Sequence, residues 1–303
     1  MKKLIVFILL QTVVCCPRPA NAAPAGATLF NFLSLDTNVR SAAMGGAYTA
    51  LAAGAGALHY NPAGLASTER QQAAFMHNQY FQGITQEYLS YASPKGWGAD
   101  FTSLNFGGIS ETTLANPSGA GLGKVGMLDT ALGLGFGGKL AGGLFVGAGV
   151  KLVRESIAGN SVSGFMFDGG LLWNVSGADG LALGVAVRNL GPDVKTQGGK
   201  EPLPAGVSAG VAYALKMRGV KSTISMDVQQ NRGEGLGGRL GYEMLLGGAV
   251  PLRVGYNTLT DDGAGVSAGI GYIQGNLGFD YAYAPFKTLG AAHRLSVTYR
   301  WGE

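Results

Sequence analysis

The last strand-length stretch of the chain alternates strictly between apolar and polar side chains. From His293 to Trp301, every second residue is an aliphatic, an aromatic or a histidine, and the residues between them are Arg, Ser and Thr. A period of two over nine residues predicts a β-strand with one apolar and one polar face. The same alternation returns in segment after segment from Gln71 onward, and the segments are separated by turns that contain Gly, Asn or Asp.

About fourteen of these segments have the length of ~9–11 residues that a membrane barrel needs. Their second face is mostly Gly, Ala and Ser, and only 13% of the chain is charged while 47% is apolar. A soluble β-sandwich, the main alternative, would carry charged side chains on its outer faces. We therefore predict an all-β fold: an antiparallel transmembrane β-barrel of about 14 strands over residues 71–303, surrounded by outer-membrane lipid.

Residues 1–22 are predicted to be a secretory signal peptide. A start with two lysines precedes the apolar stretch Leu4–Cys16, and Ala20-Asn21-Ala22 has the small-x-small pattern of a cleavage site. The apolar stretch is too short for a membrane helix. Cleavage would remove both cysteines and lower the formal net charge from +4 to +1. We therefore expect the outer membrane of a Gram-negative type of cell as the location, with no cysteine-based metal site and no nucleic-acid partner.

Residues 41–66 differ in kind from the strands that follow. They are rich in Gly and Ala and show no period of two. A small-residue segment ahead of a barrel can fold into the lumen and pack against an inner face of Gly and Ala. We expect residues 23–70 to form such a hatch, or plug, inside the barrel.

Two runs in this segment carry a family resemblance. Residues 41–52, with Met44-Gly45-Gly46, and residues 60–65, with Asn61-Pro62-Ala63, resemble the N-terminal signature of the PorV/PorQ family, part of the wider FadL/TodX long-chain fatty acid transporter superfamily. Residues 188–192, 279–286 and 293–297 are similar as well. The resemblance implies a 14-stranded outer-membrane barrel with an N-terminal hatch in its lumen. The hatch motif would then comprise Met44, Gly45, Gly46, Asn61, Pro62 and Ala63.

Eight charged residues share the register of the small side chains and are predicted to face the lumen. Buried there, they should pair with one another or meet water. Structural pairing is the favoured interpretation, and anchoring the hatch or orienting a ligand headgroup are the alternatives. The eight are Lys151, Asp168, Arg188, Asp227, Arg253, Asp280, Arg294 and Arg300.

The enzyme-like motifs of the sequence lack the structural context that they need. Two G-x-S-x-G matches, at 206–210 and 265–269, fall inside alternating strands rather than at a strand-to-helix turn. The three histidines are widely spaced, and His293 shares the outward register of the last strand, where an interfacial role is the expected one. We predict no enzyme activity, no cofactor and no metal site.

Two functions from different classes remain open at this stage. The first is passive passage of hydrophobic, fatty-acid-like small molecules, which the weakly polar lumen register and the superfamily resemblance favour. The second is an accessory barrel for protein secretion or surface attachment, with secretion-system or surface proteins as partners, as in some members of the resembled family.

Overall fold

A computed structural model describes residues 28–196, 198–259 and 264–302. The predicted signal peptide lies outside these ranges. Within them, fourteen antiparallel strands close into a barrel in which the first strand pairs with the last. The predicted fold class and strand number are therefore confirmed. No helix among the described residues is long and apolar enough to cross a membrane.

The barrel strands follow one another around the wall in chain order, and two small hairpins lie in the connecting loops. The hairpins are formed by β4 with β5 and by β10 with β11. The strands are β1 (Gln71–Gln79), β2 (Thr85–Ala92), β3 (Trp97–Asn105), β4 (Ile109–Ser110), β5 (Lys124–Val125), β6 (Met127–Lys139), β7 (Leu144–Ile157), β8 (Asn160–Asn174), β9 (Leu181–Leu190), β10 (Val194–Thr196), β11 (Gly199–Glu201), β12 (Gly206–Met217), β13 (Val220–Asn231), β14 (Leu236–Leu246), β15 (Val250–Asn257), β16 (Val266–Gln274), β17 (Leu277–Phe286) and β18 (Gly290–Trp301).

Large apolar side chains of the barrel strands face outward. On β6 and β7, Leu134, Phe136 and Leu152 are 54%, 59% and 60% exposed, whereas the alternate positions carry small or buried residues. Similar exposed side chains recur on every barrel strand from β6 to β9 and from β12 to β18. A continuous apolar belt of this kind is stable only against lipid, so the outward register predicted from the alternation matches a membrane-spanning wall.

The two ends of the barrel differ in the length of their connections. Residues 106–126 and 191–205, each with one of the hairpins, connect strands at what we call the loop end. The opposite end, the turn end, is where β1 begins and β18 finishes, and it carries short connections such as residues 93–96 and 218–219. Bacterial barrels place short turns in the periplasm and long loops outside, which orients this barrel with its loop end outward.

Residues 28–70, called the N-terminal segment below, pack against the inward-facing residues of the wall. The segment contains two short helices, α1 (Val39–Ala43) and α2 (Ala57–Tyr60), and the 3-10 turns Asn31–Ser34, Gly54–Gly56 and Pro62–Ser67. Two further 3-10 turns, Phe81–Gly83 and Ala141–Gly143, lie between barrel strands. Each of the four buried apolar clusters formed by the described residues combines side chains of the segment with side chains of the wall.

Candidate functional site in the barrel lumen

The Met44-Gly45-Gly46 run lies directly on the backbone of β15. Gly45 and Gly46 have φ angles of +66° and +80°, a conformation that side chains with a Cβ rarely adopt. A Cβ on Gly255 of β15 would collide with the backbone of Met44 and Gly45, and one on Gly45 would lie 2.6 Å from the backbone nitrogen of Tyr256. Glycine on both sides is thus what allows the segment and the wall to meet backbone to backbone.

Asn61 connects the segment to two strands through its side-chain amide. Its Nδ2 donates to the carbonyl oxygens of Thr49 at 3.1 Å, Leu171 at 3.0 Å and, at a longer 3.4 Å, Val185. Its Oδ1 accepts a hydrogen bond from the backbone N–H of Ala63 at 3.2 Å. The side chain is fully buried. A single amide therefore joins the segment to β8 and lies beside β9.

The residues beside Asn61 set its conformation. Because it precedes Pro62, Asn61 is kept in an extended conformation (φ −157°, ψ 103°), and Pro62 begins the 3-10 turn where its missing N–H costs nothing. Gly147 and Gly170 face this corner from β7 and β8. A Cβ on Gly147 would collide with Pro62 and Ala63, and one on Gly170 with Asn61.

Asp227 on β13 anchors the middle of the segment. Its Oδ2 accepts hydrogen bonds from the backbone N–H groups of Tyr48 at 2.9 Å and Thr49 at 2.8 Å. Nearby, the Thr49 hydroxyl donates to Ser208 Oγ at 3.0 Å. In the second G-x-S-x-G match, Ser267 Oγ accepts from the Gly45 N–H at 3.1 Å. Both serines therefore hydrogen-bond to the segment, and neither lies at a strand-to-helix turn.

Lys151 and Asp168 form a buried ion pair at a bulge of β9. Lys151 Nζ lies 2.7 Å from Asp168 Oδ2 and 3.0 Å from Asn189 Oδ1. Asp168 Oδ1 accepts a hydrogen bond from the Asn189 N–H at 2.7 Å. The β8–β9 register shifts here, and Asn189 has a φ angle of +57°. Strand β9 therefore contains a bulge at this point, which the ion pair stabilises.

A second network joins the segment to β14, β15 and β17. Arg40 of α1 makes two hydrogen bonds with Glu243, at 2.7 and 2.8 Å. Glu243 also accepts from Arg253 Nε at 2.6 Å, and Arg253 in turn contacts Asp280. The sequence analysis predicted Arg253 and Asp280 as lumen residues but did not identify Arg40 or Glu243. Glu243 alternates in step with the inward-facing residues of β14, so the sequence pattern could have identified it as a lumen residue. Arg40 lies in a segment without a periodic pattern, so no such signal marks it.

The remaining predicted lumen charges are not paired with carboxylates. Arg188 is buried and its guanidinium lies 3.4 Å from the His59 carbonyl oxygen. Arg294 donates to the Tyr80 hydroxyl at 2.9 Å. Arg300 lines a cavity at the turn end. Within the described ranges no carboxylate lies within 4.0 Å of the side-chain nitrogens of these three arginines. Lys151, Asp168, Arg253 and Asp280 thus take part in ion pairs, whereas none of the ion pairs among the described residues involves these three arginines.

Two buried groups of α2 have shifted pKa values. Burial, together with the charges of Lys151 and Arg188, lowers the pKa of His59 well below its ordinary value, so this imidazole is neutral at neutral pH. The pKa of Tyr60 is raised by burial and by the charge of Asp36, to which its hydroxyl donates at 3.0 Å. Both groups belong to the N-terminal segment rather than to a strand.

Three cavities surround the segment. One of about 480 Å³ lies at the turn end beside the Arg40–Glu243 network, and one of about 610 Å³ lies there on the other side of the segment, against Phe145 and Leu172. A third, of about 360 Å³, lies at the loop end between the start of the segment and strands β3, β6 and β7. Of these three cavities, one therefore lies at the loop end and two lie at the turn end, and residues of the segment line each of them. In the part of the chain that the structure describes, no three His, Cys, Asp or Glu side chains are grouped as metal ligands would be.

The closed antiparallel barrel of 14 strands matches the fold of FadL/TodX-type outer-membrane transporters. The CymD monoaromatic hydrocarbon channel superimposes with a TM-score of 0.60, over 88% of this chain and 97% of that one, at 13% identity. The Ralstonia pickettii toluene transporter TbuX gives 0.61 over 88% and 98%, and a Pseudomonas aeruginosa FadL homologue gives 0.52 over 88% and 98%, both at 14% identity. At these identities the likeness is one of fold.

The chain belongs to the uncharacterised protein family UPF0164, whose family model matches residues 16–168. A UPF0164 protein of Treponema pallidum (strain Nichols) is 32% identical over 177 residues, which are 52% of this chain and 43% of that protein. The chain thus spans less than half the length of the relative that it matches. These matches do not support the PorV/PorQ family that the N-terminal motifs resemble. The FadL/TodX-type fold implied by the same resemblance is present.

Proposed function

We propose that this protein is an outer-membrane barrel through which hydrophobic small molecules pass passively. The observation that carries the proposal is an apolar cluster inside the barrel at the loop end. Its buried members come from the segment and from five strands or loops of the wall: Phe30, Phe32, Leu33, Leu104, Ala131, Val153, Met166 and Leu203. The lumen of an aqueous porin is polar and filled with water. An apolar interior at the outer end suits a hydrophobic solute instead.

The fold supports the same proposal. The barrels that superimpose on this chain include a monoaromatic hydrocarbon channel and a toluene transporter. Their shared architecture would give this chain a route for molecules of related character across an outer membrane.

We further propose that the N-terminal segment is the hatch of this route. Its residues line the loop-end cavity and both turn-end cavities, so a solute must pass around it or displace part of it. The motif residues Asn61 and Gly45, with the wall residue Asp227, fix the segment by hydrogen bonds and backbone contact. Such anchoring would keep the barrel closed to water-soluble molecules.

Uptake by intact cells tests the proposal. The protein is expressed in the outer membrane of a Gram-negative host that lacks a transporter of this fold, and the initial uptake of labelled toluene, oleate and sucrose is measured. We expect faster entry of toluene or oleate and unchanged entry of sucrose. Uptake of sucrose comparable to that of toluene, or no gain for either hydrophobic probe, would contradict the proposal.

A pair of matched variants ties any uptake to the lumen. Leu104→Trp fills the loop-end cavity with a larger ring, whereas Leu134→Trp places the same ring on the lipid-facing side, where Leu134 is 54% exposed. We expect the first variant to slow uptake of the hydrophobic probe and the second to leave it unchanged.

The secretion or surface-attachment alternative is not carried further. It depended on the PorV/PorQ resemblance of the N-terminal motifs, and the chain belongs to UPF0164 instead. Deletion of the gene in its own cell would revive this alternative if surface proteins were lost while hydrophobic uptake stayed normal.

A further inference from the structure

The loop-end cavity combines apolar walls with two carboxylates. Leu29, Phe30 and Phe106 contribute to its apolar lining, and Asp129 and Glu155 contribute its charges. Among the described residues that line it there is no Lys, Arg or His. The cavity is therefore apolar and anionic, a combination that the sequence alone did not reveal.

Asp129 is the third residue of β6 and shares the inward parity of Ala131 and Gly133. It is only 4% exposed, and its Oδ1 has no hydrogen-bond partner among the described residues. A buried carboxylate oxygen without a partner costs free energy, because it has lost its water and gained nothing in return. The Asp129 side chain contributes to the lining of the loop-end cavity, which is large enough to hold a small partner molecule.

Glu155 lies beside Asp129 on the neighbouring strand, since the two are directly paired in the β6–β7 register. Its only hydrogen bond within the described part of the chain is a long one, 3.4 Å, from the backbone N–H of Phe30. The adjacent cation Arg154 does not reach into the cavity: its guanidinium donates to Ser161 at 3.1 Å. The buried arginines Arg188 and Arg294 are not part of the lining either. The two carboxylates thus face the cavity without a compensating cation.

We propose that the loop-end cavity binds hydrophobic molecules whose polar head is a cation or a hydrogen-bond donor, an amine or an alcohol, and discriminates against carboxylates. A donor head completes the missing hydrogen bond of Asp129, and a cationic head also gains charge attraction. A carboxylate head would be repelled by the negative charge of these acidic side chains, which no basic residue of the described lining offsets. This inference rests on the proposed function and narrows its substrate class, away from the fatty-acid-like solutes that the sequence analysis favoured.

Three probes with one apolar body test the inference: 3-phenylpropylamine, 3-phenylpropanol and 3-phenylpropanoate. Their binding to the full-length mature protein is measured by isothermal titration calorimetry in a non-ionic detergent at pH 7.5, where the amine and the carboxylate are both charged. We expect the amine to bind at least about tenfold more tightly than the carboxylate, with the alcohol between them.

The variant Asp129→Asn keeps the shape of the side chain and removes its charge. We expect the amine to lose about tenfold in affinity and the amine–carboxylate difference to shrink accordingly. Glu111→Gln, which removes an exposed acid from the loop that follows β3, is the matched control and should leave all three affinities unchanged. Glu155→Gln is the second test variant, used if heat-modifiable gel mobility shows that Asp129→Asn does not fold.

Three results would overturn the inference: a carboxylate that binds as tightly as the amine, an unchanged order of affinities in both acid variants, or undiminished binding in Leu104→Trp, which would place the probes elsewhere. Failure of the proposed function has a different signature. In that case the binding order would persist, but cells expressing the protein would take up toluene and oleate no faster than controls.

Discussion

Replacing Asn61 tests whether one side chain holds the N-terminal segment in the lumen. Asn61→Ala removes the donors to Thr49 and Leu171, at 3.1 and 3.0 Å, and the acceptor for Ala63 at 3.2 Å. The longer contact to Val185 is too weak to count. At about 1 kcal/mol of net stabilisation for each hydrogen bond, the loss is about 3 kcal/mol. Since ~1.4 kcal/mol corresponds to a factor of ten, local opening of the segment should become about a hundredfold more frequent.

The assay is amide hydrogen exchange, followed by mass spectrometry on peptides from residues 41–66 and on peptides from the barrel strands. When opening is rapid, the exchange rate follows the population of the open state. We expect about a hundredfold faster exchange in residues 41–66 of Asn61→Ala and little change in the strands. Asn61→Asp should be at least as disruptive, because its carboxylate would meet carbonyl oxygens where the amide now donates.

The control is Asn78→Ala, another fully buried asparagine of the lumen, whose side-chain hydrogen bond runs to Gln86 within the wall. Its exchange in residues 41–66 should match that of the unaltered protein. The reasoning would be refuted if Asn61→Ala exchanged in this region no faster than Asn78→Ala. It would also be refuted if the strands opened together with the segment, because Asn61 would then be stabilising the barrel as a whole.

Three further perturbations follow from the same geometry. Gly255→Ala places a methyl group against the segment backbone and should lower the thermal unfolding temperature of the barrel by several degrees, whereas Gly169→Ala, with nothing within 4 Å of the added carbon, should not. Asp168→Ala breaks a buried ion pair and should lower the free energy of unfolding by about 3–5 kcal/mol. Asp193→Ala breaks an exposed pair and should lower it by at most about 1 kcal/mol. Equal losses for the two variants in denaturant unfolding would contradict the assigned burial. His59 has a lowered pKa in the folded protein, so the unfolded chain binds its proton first and stability should fall as the pH drops below about 6.5; His59→Gln should flatten that part of the profile of unfolding temperature against pH.

The barrel could be predicted from the sequence because its signal is local and repeated. In each strand, the alternation of side chains identifies the inward and the outward face. In the structure, the first of these strands begins at Gln71. Lipid and lumen impose the same rule on every strand, so errors at individual boundaries do not change the architecture. The bulge at Asn189 could not be predicted in the same way, because asparagine in a left-handed conformation is common in turns as well as in bulges, and the neighbouring ion pair is visible only in the structure.

The lumen site could be predicted only in part, for a different physical reason. Its key contacts join residues that are far apart in sequence: Arg40 meets Glu243 across 203 positions, and Tyr48 meets Asp227 across 179. No periodic pattern in the sequence links residues so far apart, so these contacts could not be predicted from it. Asp129 is the exception, because the inward register of Ala131 and Gly133, extended back along β6 by one more alternate position, includes it. That register predicts an acidic side chain in the lumen.

The glycine content of the chain follows from the same contacts. Glycines in the lumen register were open to two explanations, strand curvature or close approach of other backbone. At Gly184, Gly241 and Gly255, an added Cβ would strike the N-terminal segment. Strand curvature alone does not require glycine at the positions that touch the segment. Close packing of the segment against the wall does require it. The barrel and the segment are therefore one packed unit, and a solute that crosses it must open a local gap rather than expel the segment whole.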